Sequence, residues 1–375
     1  MLSMSVPLYL FDQTPQSLAA ACAEWGWPRF RAAQVLEWVY RRHITDPQRM
    51  TNLSTRQRAE LAERIRFTAG RIRREQHASD GVRKLLIDWD GDLLRPAGGR
   101  TRLPLLDDAA RQTECVMIPA GGQADQRARQ TACISSQVGC PVGCRFCASG
   151  IGGLDANLSA GQIVEQVWQL GALPDVQRIT NVVFMGMGEP LANFDAVIHA
   201  IQTLMADWGL GISGRRITIS TVGLPAQMRR LAELELPVTL ALSLHAPNDA
   251  LRRQLIPWAE YVTIAQLCAA GQYYFERTGR EVTLEYILLH GVNDQLQHAR
   301  ELVEVARQLR SNVNLIRYNQ VEGLPYQRPH DDDVLAFQTV LRTAGVNVHI
   351  RASRGRDIAA ACGQLRHEHA HTTKP

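Results

Sequence analysis

The sequence predicts an α/β protein in which a partial (β/α) barrel follows a small helical N-terminal domain and a short β-rich linker. Two observations carry this prediction. Beyond Thr131, short apolar segments of strand character alternate with amphipathic segments of helical character, a pattern typical of a parallel sheet with helical crossovers. Ahead of that point, helical spacing gives way to a strand pattern. We therefore expect a helical domain at 1–70, a β-rich linker at 71–130 and the barrel core at 131–375.

The composition is that of a soluble globular protein. Of the 375 residues, 45% are hydrophobic and 21% are charged, and no apolar run approaches the roughly 20 residues needed to span a bilayer. The first residues lack the basic and apolar regions of a secretory signal. Eight cysteines, three of them clustered, indicate working thiols in a reducing compartment. We expect a cytoplasmic protein that does not associate with membranes.

Helical spacing and positive charge coincide near the N-terminus. Residues 24–75 hold twelve arginines against six acidic residues, whereas the whole chain has a net charge of only +4. Apolar spacing predicts a helix that begins near Phe30 and a second helix from about Thr55 to Ile65. Two basic helices around a polar turn are typical of a nucleic-acid-binding module. Simple solvation of a charged face would produce the same pattern.

The linker shows the alternation of β-structure. Residues 82–89 predict a strand that ends at the Asp90-Gly91 turn, and the Pro/Gly/Arg-rich segment LLRPAGGRTRLPLLDD follows. The last strand of this region, QTECVMIPA, places Glu114 just ahead of the loop GGQADQRARQ. We therefore expect a small β-rich domain that leads directly into the barrel.

Seven apolar segments predict the strands of the barrel. In chain order they are ACISS, NVVFM, RITIS, VTLALS, VTLEYIL, VNLIRY and VNVHIRA. Active sites of such folds lie at the carboxyl ends of the strands, and polar residues follow several of these segments. They are Glu189, Ser220, Ser243, His245 and Asn319. Gly186 and Gly188, next to Glu189, would let the backbone approach a ligand. Each polar residue alone is more often a capping or structural residue, but their shared position predicts one cavity.

Three cysteines in the run GCPVGCRFCASG predict an iron-sulfur cluster. Cys140, Cys144 and Cys147 lie within eight residues, and thiolates suit such clusters. A cubane cluster needs four ligands, so three cysteines leave one iron open to a small molecule. The alternatives are a structural zinc loop with Cys133 as fourth ligand and three ordinary buried thiols.

Two further cysteines lie at opposite ends of the predicted barrel. Cys133 belongs to the first strand, and Cys362 follows the last one. A cysteine in an Ala-rich stretch is ordinarily a small buried hydrophobe. Closure of the barrel would make the first and last strands neighbours and would bring the two thiols within disulfide range.

Together these motifs resemble the RlmN/Cfr family of radical S-adenosylmethionine (SAM) RNA adenine methyltransferases. The matching runs, in the family's order, are ACISSQVGCPVGCRFCASG, FMGMGEPLANF, RRITISTVG, LALSLHAPND, LEYILLHGVND, NLIRYNQ and RDIAAACGQL. The N-terminal segment from Trp27 is similar to the family's accessory RNA-binding domain. The resemblance implies that the partial barrel is a radical SAM core.

The resemblance also implies roles for individual residues. The ligands of a [4Fe-4S] cluster would be Cys140, Cys144 and Cys147. The residues at the family's SAM-contacting positions are Gly188, Glu189, Ser220, Ser243, Leu244, His245 and Asn319. Cys362 falls where the family has its methyl-bearing cysteine, Cys133 where it has the resolving thiol, and Glu114 where it has the general base.

The implied reaction consumes two SAM molecules per turnover. One methylates Cys362, and the other is cleaved to a 5′-deoxyadenosyl radical that removes hydrogen from the S-methyl group. The methylene radical then adds to adenine, Glu114 removes a proton, and Cys133 releases the product by forming a disulfide with Cys362. The implied partners are 23S rRNA, in some members tRNA, and a low-potential electron donor such as flavodoxin. We expect a monomer.

The sequence departs from the family's usual pattern in a few places. The linker and the loop between Glu114 and Cys133 are longer, and Arg317 stands where proline is more usual. The wider match favours methylation at C2 of adenine, and the alternative is the C8 methylation of the Cfr branch. Two other classes of function remain as alternatives. A radical SAM enzyme that does not act on RNA, such as a glycyl-radical activase, would not need Cys362. A non-enzymatic iron-sulfur protein that binds RNA would not need Cys133.

Overall fold

The computed structural model describes residues 7–96, 111–119 and 129–365. The strands are β1 (Leu8–Tyr9), β2 (Ile65–Arg66), β3 (Gly70–His77), β4 (Arg83–Trp89), β5 (Arg95–Pro96), β6 (Gln112–Pro119), β7 (Gln130–Cys133), β8 (Gln137–Gly139), β9 (Leu154–Asn157), β10 (Asn181–Phe184), β11 (Ile217–Thr221), β12 (Thr239–Ser243), β13 (Val282–Leu288), β14 (Ser311–Arg317) and β15 (Val348–Arg351). The α-helices are α1 (Pro15–Glu24), α2 (Phe30–Arg42), α3 (Thr55–Arg64), α4 (Ala160–Gly171), α5 (Phe194–Met205), α6 (Pro225–Glu233), α7 (Asp249–Leu255), α8 (Ile264–Thr278), α9 (Leu296–Ala306) and α10 (Asp331–Thr343).

Seven parallel strands form one side of the main sheet. Within the described residues its order is β15-β14-β13-β12-β11-β10-β7-β6-β4-β3, and every neighbouring pair from β7 to β15 is parallel. These are the seven strands predicted from the apolar segments. In the described part of the chain β15 and β7 do not pair, so the sheet stays open and forms a partial barrel. The prediction that the barrel closes by pairing of its first and last strands is therefore wrong. Pairing of these strands cannot be the reason that Cys133 and Cys362 lie close together.

Three antiparallel strands extend the same sheet beyond β7. The strand β6 pairs with β7, β4 pairs with β6, and β3 pairs with β4 at the edge. The sequence predicted β4 and β6 but not β3, because the segment GRIRREQH is charged and mostly exposed. Charged side chains on an edge strand prevent pairing with another chain. Residues 97–110, which include most of the Pro/Gly/Arg-rich segment, residues 120–128 of the loop before Cys133 and residues 366–375 lie outside the described residues.

The N-terminal module packs on helix α4 through a buried carboxylate. Glu165 is fully buried and accepts hydrogen bonds from the N–H groups of Ala69 at 2.8 Å and Gly70 at 2.9 Å. The Tyr9 hydroxyl also donates to Glu165, and Gln169 Nε2 donates at 2.7 Å. Burial raises the pKa of Glu165, although all four hydrogen bonds favour the ionised form. One side chain of the core thus binds both ends of the N-terminal module.

A second contact reinforces this docking. Trp168 Nε1 donates to Val39 O at 2.8 Å, and Gly161 N donates to Asp12 Oδ1 at 2.6 Å. The ring of Phe11 lies 5.6 Å from that of Trp168.

Within the described ranges, no helix has the length and apolar character that a transmembrane crossing requires.

Replacing Glu165 should loosen the N-terminal module. Glu165→Ala leaves buried N–H donors without an acceptor, so we expect the free energy of unfolding to fall by about 3 kcal/mol. The control Glu304→Ala removes an exposed ion pair with Arg307 and should change it by no more than about 0.5 kcal/mol. Urea unfolding and limited proteolysis of the N-terminal helices would measure both. Equal unfolding free energies for the two variants would contradict the docking role.

Candidate active site

The three clustered cysteines line one cavity at the carboxyl ends of the parallel strands. Its volume is about 150 Å³, and Cys140, Cys144 and Cys147 form part of its wall. Other residues predicted from the sequence line the same cavity: Gly188, Glu189, Ser220, Ser243, His245 and Cys362. The fold therefore brings together the cysteine loop, the ends of three strands and the segment after β15.

Backbone hydrogen bonds hold the cysteine loop at both ends. Cys140 N donates to Gly153 O at 2.7 Å, and Ala148 N donates to Gly363 O at 2.8 Å. Phe146 is buried beneath the loop in an apolar cluster. The second bond ties the cysteine loop to the residue that follows Cys362.

Glu189 lies at the bottom of the cavity, where its carboxylate is bound by backbone N–H groups. Leu191 N donates to one oxygen at 3.0 Å, and Val222 N donates to the other at 2.8 Å. Burial raises the pKa of Glu189 to about 7, against the effect of these hydrogen bonds. The Thr221 side chain also bonds to this carboxylate, so one of its four lone-pair sites can still accept a hydrogen bond from a ligand.

Gly188 is required by the protein's own packing. Its φ is 101°, and a Cβ atom there would lie 2.7 Å from Gln137 Cβ and from Ser136 Oγ. The sequence suggested that glycines here admit a ligand. The structure shows that the space next to Gly188 is taken by the segment after β7, and this close approach positions the neighbouring Glu189.

The ends of β11 and β12 supply hydroxyl and imidazole groups to the cavity. Ser220 Oγ and Ser243 Oγ are 3.1 Å apart. His245 has a φ of 58°, and its Nδ1 accepts from Ile287 N at 3.1 Å. Burial, aided by the charge of Arg252, lowers the pKa of His245 to about 3. The imidazole is therefore neutral at physiological pH.

Leu244 and Asn319 occupy different positions from the other predicted SAM contacts. Leu244 is fully buried and is not part of the cavity wall; its backbone N donates to Glu285 O at 3.0 Å. Asn319 lines a second cavity, and its buried Oδ1 has no hydrogen-bond partner among the described residues. An unsatisfied buried oxygen of this kind indicates a missing donor.

The second cavity adjoins the first. It has a volume of about 390 Å³, and Cys133, Arg351 and Cys362 line it. Met185 and Cys362 line both cavities. Cys362 therefore lies at the boundary between the cavity of the cluster thiols and the cavity of Cys133.

Both of these thiols are free. All eight cysteines lie within the described ranges, and none forms a disulfide. Burial is the main reason that the pKa of Cys133 is raised to about 12; nearby Arg351 partly opposes this effect. Arg351 Nη1 also lies 3.3 Å from Glu285 Oε1. The disulfide implied by the family resemblance is not present in this state.

Glu114 is buried on β6, close to the row of residues that contains Cys133. Its Oε1 lies 2.7 Å from Lys84 Nζ, and both side chains are almost completely buried. Glu114 lies outside both cavity walls. The residue two positions further along its strand, Val116, pairs with Cys133, so Glu114 and Cys133 point to the same face of the sheet.

Several charged residues of the site were not found from the sequence. They are Lys84, Arg252, Glu285 and Arg351. Arg252 is 1% exposed and donates to the carbonyl groups of Leu244 and Val222 at 3.2 and 2.6 Å, which fixes the ends of two strands. A charge inside an apolar strand, as in VTLEYIL, was the available signal for Glu285. The arginines lie among other charged residues and carry no such signal.

The cysteine loop fits an iron-sulfur cluster better than zinc. Thiolates on one zinc ion lie about 3.8 Å apart, given tetrahedral Zn–S bonds. In the part of the chain described, the one trio of potential ligands with atoms within 4.8 Å of one another is His290, Asp294 and Asp333, so the cluster thiols are spread more widely. Cys133, the proposed fourth zinc ligand, lines the other cavity.

Comparisons with known proteins agree with this geometry. The Radical SAM superfamily matches residues 134–303, and the ribosomal RNA large subunit methyltransferase N-terminal domain matches residues 8–66. A probable dual-specificity RNA methyltransferase RlmN from Rhodopirellula baltica is 42% identical over 92% of this chain and 86% of its own length. Dual-specificity RNA methyltransferase RlmN from Dichelobacter nodosus is 38% identical over 96% of this chain and 95% of its own length.

A solved structure extends the similarity to the fold. The crystal structure of a radical SAM methyltransferase from Sphaerobacter thermophilus is 40% identical, covers 96% of this chain and 100% of its own, and superposes with a TM-score of 0.86. Sequence and fold therefore agree over nearly the whole chain. The protein belongs to the RlmN family of radical SAM RNA methyltransferases, which use a [4Fe-4S] cluster and SAM.

Proposed function

We propose that this enzyme methylates C2 of an adenosine in 23S rRNA, with Cys362 as the carrier of the methyl group. The observation that carries the proposal is the position of Cys362 on the walls of both cavities. A carrier must receive its group in one place and deliver it in another. The first cavity is our candidate for the cluster and SAM, and the second is our candidate for the adenosine.

In the first cavity, Cys140, Cys144 and Cys147 would hold the cluster, as three soft donors at the spacing of the radical SAM motif. Glu189 offers a free lone pair to the amino group of SAM. The remaining proposed contacts with SAM are Gly188, Ser220, Ser243, Leu244, His245 and Asn319. Of these, Leu244 would act through its backbone and Asn319 from the neighbouring cavity. When bound, the cluster and SAM supply a carbon-centred radical that can remove hydrogen from a methyl group.

The residues of the second cavity suit an RNA strand. Arg129, Arg351 and Arg354 line it, and guanidinium groups bind phosphates strongly. The target base would have to leave its stack to reach Cys362. Cys362 Sγ would then carry the methyl carbon that bonds to adenine. Glu114 lies behind the cavity wall but on the same face of the sheet as Cys133, and from there it would accept the proton from the same adenine carbon.

Cys133 would complete the cycle. Its thiolate would attack Cys362 Sγ, so that a disulfide forms while the bond between that sulfur and the transferred carbon breaks. The carbon would leave with the bonding electron pair and take up a proton to become the methyl group. The unpaired electron that radical addition leaves on the adduct would pass to a one-electron acceptor, for which the bound cluster is the candidate. The raised pKa of Cys133 keeps this thiol protonated at rest. Arg351, which lines the same cavity, favours the thiolate electrostatically. We therefore expect the Cys133 thiolate to form and to attack Cys362 Sγ only after a covalent adduct occupies the cavity.

The remaining expectations concern partners and organisation. The relatives are named dual-specificity enzymes, which supports tRNA as a second substrate. We further propose a low-potential electron donor such as flavodoxin, a monomeric enzyme and a cytoplasmic location. We propose that 1–70 binds RNA, that 71–130 links this module to the core, and that 131–375 catalyses the reaction.

Loss of one cluster ligand should abolish the radical chemistry. Cys144→Ala removes one of three protein ligands, so we expect iron content to collapse and SAM cleavage to stop. The control is Cys268→Ala, a buried cysteine on α8 outside both cavities, which should retain iron. Anaerobic iron analysis and 5′-deoxyadenosine assays measure both. Full iron and cleavage in Cys144→Ala would show that the cluster assignment is wrong.

Replacement of the two proposed catalytic thiols, Cys133 and Cys362, should stop the reaction at different stages. Cys133→Ala can still join the methylene carbon to adenine but cannot release it, so a covalent protein–RNA adduct should accumulate. Cys362→Ala should leave the RNA unmodified and form no adduct. Gel mobility with and without ribonuclease treatment distinguishes the two variants. Normal turnover by Cys133→Ala would remove the resolving role of this thiol.

The position of methylation tests the assignment within the family. Digestion of 23S rRNA after reaction should release 2-methyladenosine as the main product, with 8-methyladenosine absent or minor. Nucleoside mass spectrometry against both standards makes the measurement, with rRNA from cells lacking this gene as the control. A predominance of 8-methyladenosine would instead place the enzyme in the C8-methylating branch.

A further inference from the structure

Lys84 is a buried cation that joins two parts of the site. It lies on β4 with 3% of its surface exposed. Its Nζ is 2.7 Å from Glu114 Oε1 and 3.3 Å from Ala359 O. Ala359 lies three residues before Cys362. One ammonium group thus connects the proposed base to the segment that carries the proposed methyl-bearing thiol.

The pairing of the strands places Lys84 in the same row as Cys133. Lys84 on β4 pairs with Val116 on β6, and Val116 pairs with Cys133 on β7. Directly opposite residues point to the same face of a sheet. Ala360 covers this face and packs with Val116 and Cys133 in one apolar cluster. The ammonium therefore lies on the face where the adduct would be resolved.

The composition of the chain makes this lysine unusual. The sequence has 39 arginines and only two lysines, Lys84 and Lys374, and Lys374 lies outside the described residues. The chain thus uses arginine at almost every basic position, including Arg83 next to Lys84. An ammonium is a compact charge with three donors, whereas a guanidinium is a larger planar fork. At position 84 the compact group reaches two acceptors, Glu114 Oε1 and Ala359 O, from a side chain that is almost completely buried.

Other contacts hold the segment before Cys362 independently of Lys84. Ser79 N donates to Asp357 Oδ2 at 2.8 Å, and Gly355 N donates to Asp80 Oδ2 at 3.0 Å. These bonds anchor the segment to the β3–β4 turn. What Lys84 adds is the link to Glu114. A buried ion pair is weak evidence for a stabilising role, because desolvation opposes its attraction.

We propose that Lys84 is a positioning residue for proton removal from the adduct, and that it aligns the Glu114 carboxylate with the Cys362 segment. The inference rests on the proposed function of Cys362 and Glu114. In this step the proton on the methylated adenine carbon moves to a Glu114 oxygen, and the electron pair of the C–H bond stays with the ring. Lys84 Nζ lies 2.7 Å from Glu114 Oε1, and its bond to Ala359 O ties this carboxylate to the segment that carries Cys362.

The test separates the early steps from the late ones. Reconstituted Lys84→Met should retain iron, methylate Cys362 and form 5′-deoxyadenosine. Formation of 2-methyladenosine should fall about a hundredfold, as expected for a misplaced base, and a protein–RNA adduct should accumulate as in Cys133→Ala. Lys84→Arg keeps the charge but not the shape, and we expect product about tenfold below wild type. The matched control Asp357→Asn weakens the anchor without touching Glu114 and should stay within about twofold of wild type.

Three results would overturn the proposal. The first is product formation by Lys84→Met near the wild-type rate, and the second is full activity of Lys84→Arg. The third is a parallel loss of product and of Cys362 methylation, because it would indicate a purely structural role. If Lys84→Met does not fold, Lys84→Arg combined with Glu114→Gln decides the question. The two losses should not add if Lys84 acts through Glu114, and additive losses would contradict it. Absence of methyladenosine from the wild-type reaction would instead reject the proposed function itself.

Discussion

The open edge of the sheet is the constraint on which the site depends. Because β15 does not pair with β7 among the described residues, no strand ladder fixes the segment that follows β15. Other bonds hold it: Gly363 O accepts from Ala148, and Leu365 O accepts from Ser149 Oγ at 2.6 Å. On its other side, Asp357 binds the β3–β4 turn. A closed barrel would leave no gap for this segment, and Cys362 would not reach the boundary of two cavities.

The polar groups of the first cavity are organised by backbone hydrogen bonds at the strand ends. Glu189 is held by two N–H groups, and His245 accepts from a third. Arg252 binds the carbonyl groups at the ends of the two neighbouring strands. Such fixed dipoles need little reorganisation when a charged ligand enters. Burial raises the pKa of Glu189. The same burial lowers the local dielectric constant and so strengthens the electrostatic interactions of the carboxylate with a ligand.

The sequence predicted the parts of the fold that repeat and missed those that depend on burial. The seven parallel strands were found because strands covered on both faces are continuous apolar runs. The edge strand β3 was missed, since its segment GRIRREQH has charges where a strand usually has apolar residues. The cysteine motif predicted Cys140, Cys144 and Cys147 as the proposed cluster ligands from their spacing alone. Lys84 and Arg252 could not be found in this way, because the sequence does not show which charges the tertiary fold will bury. The sequence also does not show that Leu244 and Asn319 lie outside the wall of the first cavity.

Helix α4 couples the N-terminal module to the catalytic rim through adjacent residues. Glu165 binds the module at Ala69 and Gly70, while Gln166 both accepts from Ser135 N and donates to Ser135 O, each at 2.9 Å. Ser135 follows β7, two residues after Cys133. The two side chains leave the same turn of α4, so this turn connects the module to the strand end that carries the proposed resolving thiol. If the module binds RNA as proposed above, the RNA would be held next to a site that contacts the same helix.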